Sequence, residues 1–458
     1  MMTTLRQVVA RGRILPVIAM ALVVAGCAES QRPQASGKGA VRGINAVATA
    51  PEMFFLIEER LMGNVNYRGI AGFEEWDDLE YNFNFDILLP GDTVSTRIAT
   101  QFVDVQVGIE YSVALTGTLD NPTIISWEAE EREFDGTENF FELDFVNLSP
   151  MTGEVDIYFD LEGTPPQIGM EVGRIAFGDR IDYVQITQPG SYVLTLTAPG
   201  DPATVVFQSD AFPRVTGERL TFMLSDPDPS ITSPVGVDLI PFSGSSQRMA
   251  DINSPPQIRV LHAAFGVQNF DGYLDENLAN LVFPNVAFQE LSVFADAAEV
   301  LLPLTLTAVG DTSTELFTVD IQQVLGTLRS VFIFGTPDEV LARPIINDAR
   351  PLSTYPVVRI THLSSNIPDG IDVYEVDPGT ELTEDVFPKF GGSIIGISTG
   401  FFAADSGMRE YILTLPGEKD PIATPVVFDL ADGDIVDLAI VDTADPAVVE
   451  LITVESSL

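Results

Sequence analysis

Two histidines (His262 and His362), one cysteine (Cys27) and 67 acids are the groups in this chain able to do chemistry. A histidine pair can hold a metal or act as a general base. These two, however, end matching segments of a repeated pattern, Arg259-Val260-Leu261-His262 and Arg359-Ile360-Thr361-His362, and two further copies carry Asn45 and Asn147 there. A position that alternates between His and Asn suits a side chain hydrogen-bonding a turn backbone, so a structural role is expected. No C-x-x-C, H-E-x-x-H, P-loop, G-x-G-x-x-G or G-x-S-x-G segment occurs. Gly391-Gly392-Ser393 fails as a nucleophile elbow because Ile395 stands where the second glycine belongs. Hydrolysis would have to rest on two carboxylates, and 67 acids make any chosen pair arbitrary. The expectation is a protein that is not an enzyme.

Loop acids are the remaining candidates for an ion. Asp226 and Asp228 flank Pro227, and Asp432, Asp434 and Asp437 crowd one short segment. Hard oxygen ligands of this kind suit calcium, the one cofactor the sequence offers, but neither group forms an EF-hand loop. Solvated turns that blunt strand edges are expected instead. Trp76, beside Glu74, Glu75, Asp77 and Asp78, and Trp127, beside Glu128, are the candidate ligand platform. Exposed aromatic surface there would favour a carbohydrate or protein partner.

The elements that must position these residues are strands. Short alternating runs of Val, Ile, Thr, Tyr and Phe are separated by Gly, Pro, Asp and Asn clusters, and helical periodicity is nearly absent. An opening strand recurs roughly every hundred residues, a normal module size for a β-sandwich. It reads Val41-Arg42-Gly43-Ile44-Asn45, Leu143-Asp144-Phe145-Val146-Asn147, Ile258 to His262 and Val358 to His362. A second strand is plain in two copies, Val155-Asp156-Ile157-Tyr158 and Ile371-Asp372-Val373-Tyr374. The expected fold is all-β: about four tandem immunoglobulin-like antiparallel β-sandwich modules at 41–130, 140–243, 257–350 and 356–458. Modules one and three diverge most. Linkers are expected at Glu128 to Asn139, Ser243 to Pro256 and Asn347 to Pro356. Each module is expected to bury its own core and fold by itself.

This pattern is similar to the bacterial family catalogued as domain of unknown function 4397. Module two carries the fullest likeness, through Phe145 to Pro150, Val155 to Tyr158, Ala176-Phe177-Gly178 and Gly190-Ser191-Tyr192. Module four carries it through Val358 to Ser364 and Ile371 to Tyr374, module three keeps Arg259 to Ala263, and module one keeps little beyond Val41-Arg42 and Asn45-Ala46. The resemblance implies exported β-sandwich modules and no known chemistry.

The first thirty residues supply the address. Arg6, Arg11 and Arg13 precede the apolar run Ile14 to Val24, which is shorter than the roughly 20 residues a bilayer-spanning helix needs. Val24-Ala25-Gly26-Cys27 then resembles the bacterial lipobox, so residues 1–26 are expected to be a lipoprotein signal peptide and Cys27 the lipidation site. Two or three acyl chains hold a protein firmly. Ala28 after the cysteine points to the outer membrane, and residues 27–40 read as a flexible tether. No intrachain disulfide is available with one cysteine. A formal charge of −44, from 67 acids against 23 bases, excludes nucleic acid as a partner by like-charge repulsion. The expected function is therefore a lipid-anchored cell-envelope array that binds or scaffolds an envelope protein or polysaccharide. A passive spacer and a carboxylate-based carbohydrate-active enzyme are the alternatives.

Overall fold

The computed structural model describes residues 35–227, 231–241, 246–275, 277–298 and 301–456, so the expected signal peptide, Cys27 and Asp228 lie outside the described residues. Among the described residues there is no helix. Four modules follow one plan. In the first, β1 (Lys38–Asn45), β4 (Glu74–Asp77), β7 (Ile109–Gly117) and β8 (Pro122–Glu130) form one sheet in the order β4-β1-β7-β8. The facing sheet, in the order β3-β2-β5-β6, is built from β2 (Met53–Ile57), β3 (Arg60–Val65), β5 (Glu80–Ile87) and β6 (Thr96–Asp104). The other three modules repeat this order, opening with Phe141–Asn147, Gln257–His262 and Val357–His362, and module two adds one short strand to each sheet, Phe212–Arg214 and Gln247–Arg248. The modules are therefore all-β sandwiches of a single topology, including the divergent first and third.

One detail departs from the expected antiparallel sheets. The first strand pairs parallel with the seventh in modules one, three and four and with the eighth, Arg219–Ser225, in module two, in registers that include Arg42↔Ser112, Asp144↔Thr221, Arg259↔Ser330 and Arg359↔Asp437. A parallel neighbour needs a long crossover, and here the intervening strands supply it. Sequence patterning reads which residues alternate, and it is blind to the direction of the partner strand.

Each sandwich has its own core. Phe55, Phe83 and Phe85 centre the first, with the Phe55 and Phe85 rings 5.2 Å apart. A Cβ on Gly43 would lie 2.3 Å from the Phe55 ring, so that position in β1 admits the ring only as glycine. In the second module Phe145 occupies the matching place and stacks on Phe222 at 5.0 Å.

The sandwiches also pack on one another in pairs. A further apolar cluster joins Ile44, Ala46, Ala114 and Trp127 of the first to Val146, Leu148, Met223 and Ile240 of the second. Another joins Leu261, Ala263, Phe332 and Phe334 of the third to Leu363, Ala439 and Val441 of the fourth. The same sheet meets its neighbour in both seams. Its central strands are therefore covered on both faces, and Phe141–Asn147 is buried at every position. The residue three places before the closing Asn or His of each first strand points into a seam. Arg42, Arg259 and Arg359 there lie over Phe73 at 4.5 Å, Phe294 at 4.3 Å and Phe401 at 4.4 Å, each the residue just before the fourth strand. Module two inverts the arrangement: Asp144 accepts from Arg180 Nε at 2.7 Å. The recurrent V-R is thus a seam device, with each guanidinium on an aromatic face.

The ends of the expected tether and linkers are corrected too. β1 begins at Lys38, and the amide and hydroxyl of Ser36 are bound by Asp78, because paired strand backbone satisfies its donors better than solvent-exposed coil. Pro122–Glu130 is strand, which removes Glu128 to Glu130 from the first linker, and Gln247–Arg248 pairs within the second module. The connector between modules three and four is docked on the first module. Arg350 Nη1 donates to the carbonyls of Ala48 and Ala50 at 2.6 and 2.7 Å, and Ser353 N to that of Thr49 at 2.9 Å.

Candidate functional site

The family-like motif residues prove to be framework. Asp156, Asp271 and Asp372 occupy the same place in the second strand of modules two, three and four. Their Oδ2 atoms accept the amides of Gly200 at 2.6 Å, Gly310 at 2.8 Å and Gly417 at 2.9 Å. Each glycine sits in a hairpin turn with φ between +73° and +79°, a region that costs glycine nothing. Module three lacks a clean V-D-V-Y in sequence, yet Asp271 makes the same bond. Module one carries Phe54 there, and the acid moves across to its register partner Asp86, which binds Arg97.

Both histidines are fully buried at strand ends. His362 Nδ1 donates to the Ser393 carbonyl at 2.6 Å, as Asn45 Nδ2 does to Val65 at 3.1 Å, and both acceptors end the third strand of their module. The His262 ring lies tilted 4.7 Å from that of Phe270, and neither of its nitrogens makes a hydrogen bond of ordinary geometry. Burial pulls both imidazoles below 6.5, so they are neutral near pH 7.

The acids expected in solvated loops divide. Asp226 is buried and accepts from Ser149 Oγ at 2.6 Å and Met151 N at 3.1 Å, as Asp442 does from Ser364 and Asn366 in module four. Asp437 stands inside the seventh strand, buried and paired with Arg359 Nη2 at 2.5 Å, so it is no loop ligand. Asp432 accepts from Ser406 and Asp434 from the Ala431 amide. Among the described residues no group of three or more His, Cys, Asp or Glu is placed to hold a metal ion.

The tryptophans are not exposed platforms, which corrects that expectation. Trp127 is 8% exposed because its phase in β8 turns it into the first seam. Trp76 is half-buried, edge-on to Tyr81 at 5.0 Å, with Arg60 5.4 Å above its ring. Phe102 is instead an exposed aromatic of module one, at 55%, while Phe387 in module four reaches 81%. Alternation in Gln101-Phe102-Val103-Asp104-Val105 turns Val103 and Val105 inward and Phe102 out, a phase that was available in the sequence.

Phe102 lies on a cleft of about 590 Å³ between β6 and β8, which are edge strands of opposite sheets. Gln101, Asp104, Gln106, Trp127 and Glu128 share its lining. At its floor the Tyr111 hydroxyl donates to the Asp104 carbonyl at 3.1 Å and accepts the Gln106 amide at 3.0 Å. Glu128 also lines a second cleft, of about 430 Å³, where β8 meets module two beside Glu130, Arg132, Asp182, Tyr183 and Arg219. The guanidiniums there are engaged. Arg132 Nη1 donates to Glu142 Oε1 at 2.6 Å, and Arg219 donates to Glu142 Oε2 at 3.1 Å and to the Glu130 carbonyl at 2.9 Å. Beneath them Glu110 is raised above the usual carboxylate range by burial, which outweighs the opposing pull of Arg219 and Arg42. The arrangement holds hydrogen-bonding groups along one strand edge and offers no nucleophile paired with a base.

Residues 39–158 match the family described as Domain of unknown function (DUF4397). The match spans module one and ends on Tyr158 of module two, although module one shows the thinnest motif. No curated protein matches the chain. One solved structure, titled "Alpha-glucan recognition by family 41 carbohydrate-binding modules from streptococcal virulence factors", is similar at 12% identity. The similarity covers 43% of this chain and 95% of that one, with a TM-score of 0.17, too low to bear on fold or ligand.

Proposed function

We propose that this chain, with its DUF4397 region at residues 39–158, is a non-enzymatic lipid-anchored cell-envelope protein whose modules form a preassembled binding and scaffolding array. One observation carries the array: modules one and two are locked by a shared apolar seam and by the Arg68–Asp238 ion pair at 2.6 Å, each side chain 2% exposed. A preordered surface binds without the entropic cost of assembling itself. The open cleft beside Phe102 favours binding over a passive spacer. The basic start, apolar run and Cys27 support export and acylation, with the outer membrane as destination. The acid excess sets nucleic acid aside as partner.

Fractionation and acyl labelling test the anchor. Wild type should sediment with membranes and take up labelled palmitate, whereas Cys27→Ala should do neither. Label retained by the variant would refute acylation at this cysteine.

A further inference from the structure

We infer that the edge of β8, from Phe102 to the first seam, is a binding groove for a neutral glycan chain. The inference deepens the binding reading above and rests on it. Both clefts fall in the 300–1,000 Å³ range usual for small-ligand sites, and Glu128 lines each, so together they follow one strand.

Sugar rings present flat C–H faces bounded by hydroxyl edges. Phe102 offers an exposed aromatic face for the first, and it needs no other explanation because it contributes nothing to the core. Gln101 and Gln106 can donate and accept, while Asp104 and Glu128 accept from hydroxyl pairs. Charge selects within the class. Arg132 and Arg219 are both taken up by Glu142 and Asp182 pairs with Arg180 at 2.8 Å, which leaves Asp104, Glu128 and Glu130 in excess along the edge. Uronates, phosphates and sulfates are repelled by that field, and an uncharged chain is not. Because the groove reaches into module two, an extended polymer gains contacts that a monosaccharide does not.

The test uses the purified full chain in mild detergent, run through native gels that contain α- or β-linked neutral hexose polymers or a polyuronate. The chain has two tryptophans, so a Trp76→Phe background leaves Trp127 as the reporter of groove occupancy by fluorescence. At least one neutral polymer should retard the protein and shift the Trp127 emission. Phe102→Ala should weaken that binding about tenfold or more, as expected for a truncated aromatic anchor, and Phe102→Tyr should retain it. An unchanged melting curve will show that the variant is folded. Retardation by the polyuronate alone, equal binding by Phe102→Ala, or no response to any neutral polymer overturns the assignment. Membrane release of Cys27→Ala is read separately, so failure of the glycan site and failure of the anchor are distinguishable.

Discussion

Arg68 of the first module donates Nε–H to Asp238 of the second, and Arg68 Nη2 donates to the Val237 carbonyl at 3.0 Å. Breaking a buried ion pair by removing one partner costs about 3–5 kcal/mol. Arg68→Ala should therefore lower the stability of the module pair by that amount in urea titration. The double change Arg68→Met with Asp238→Leu should recover most of it. A loss below about 1 kcal/mol in the single variant would mean that the seam relaxes and admits solvent.

The carboxylate-to-glycine bond of the second strand predicts a graded series. Asp271→Ala takes the shared acceptor from the Gly310 and Asn285 amides, and because both residues reach solvent each lost bond costs about 1 kcal/mol. Asp372→Ala should behave alike through Gly417 and Gly392. Phe54→Asn in module one should give no matching gain, since Asp86 already serves that sheet. Thermal melts of the three variants check the order.

Acid should destabilise the third and fourth modules through their histidines. Both imidazoles are held below 6.5 by burial, so the unfolded chain binds protons that the folded chain does not. Stability is then complete above about pH 6.5 and falls as pH drops from there toward the depressed native values. His362→Asn should flatten this slope and keep a donor for the Ser393 carbonyl, as Asn45 provides for Val65. Denaturation midpoints between pH 5 and 8 measure it, and equal slopes for wild type and variant would reject the mechanism.

Deleting residues 357–458 should leave a sticky remnant. It uncovers Phe332 and Phe334, which are 0% and 4% exposed in the whole chain, together with Leu261. Exposure of such side chains costs on the order of 2 kcal/mol each. The remnant should bind a hydrophobic dye and melt below the intact protein. A truncated protein that is monomeric, dye-negative and equally stable would show module three to be self-sufficient.

The strand content and the repeat were legible in the sequence because alternation and turn residues are local signals. Alternation located Val155 to Tyr158 and Ile371 to Tyr374, and both are strands. The seams were not legible. Leu143-Asp144-Phe145-Val146-Asn147 reads as a half-buried strand with a polar residue facing water, whereas Asp144 is fully buried because Arg180 and Thr221 satisfy it. Nothing within five residues encodes a partner some forty or eighty positions away. The same blindness made Trp127 look like a platform, since exposure depends on which neighbour covers a strand face, whereas local alternation alone turns Phe102 outward. The His/Asn alternation was informative because four internal copies exposed the interchange, and His362 meets the backbone much as Asn45 does.

The docking of Arg350 and Ser353 on the 48–50 turn gives the molecule two mechanical routes between its halves. Force applied near the N-terminus reaches the last two modules through the covalent path across module two, and also sideways through this clasp. Two such paths make a braced frame, which resists bending where a string of beads hinges at every joint. Cutting the clasp with Arg350→Ala should let the halves swing while every sandwich stays intact.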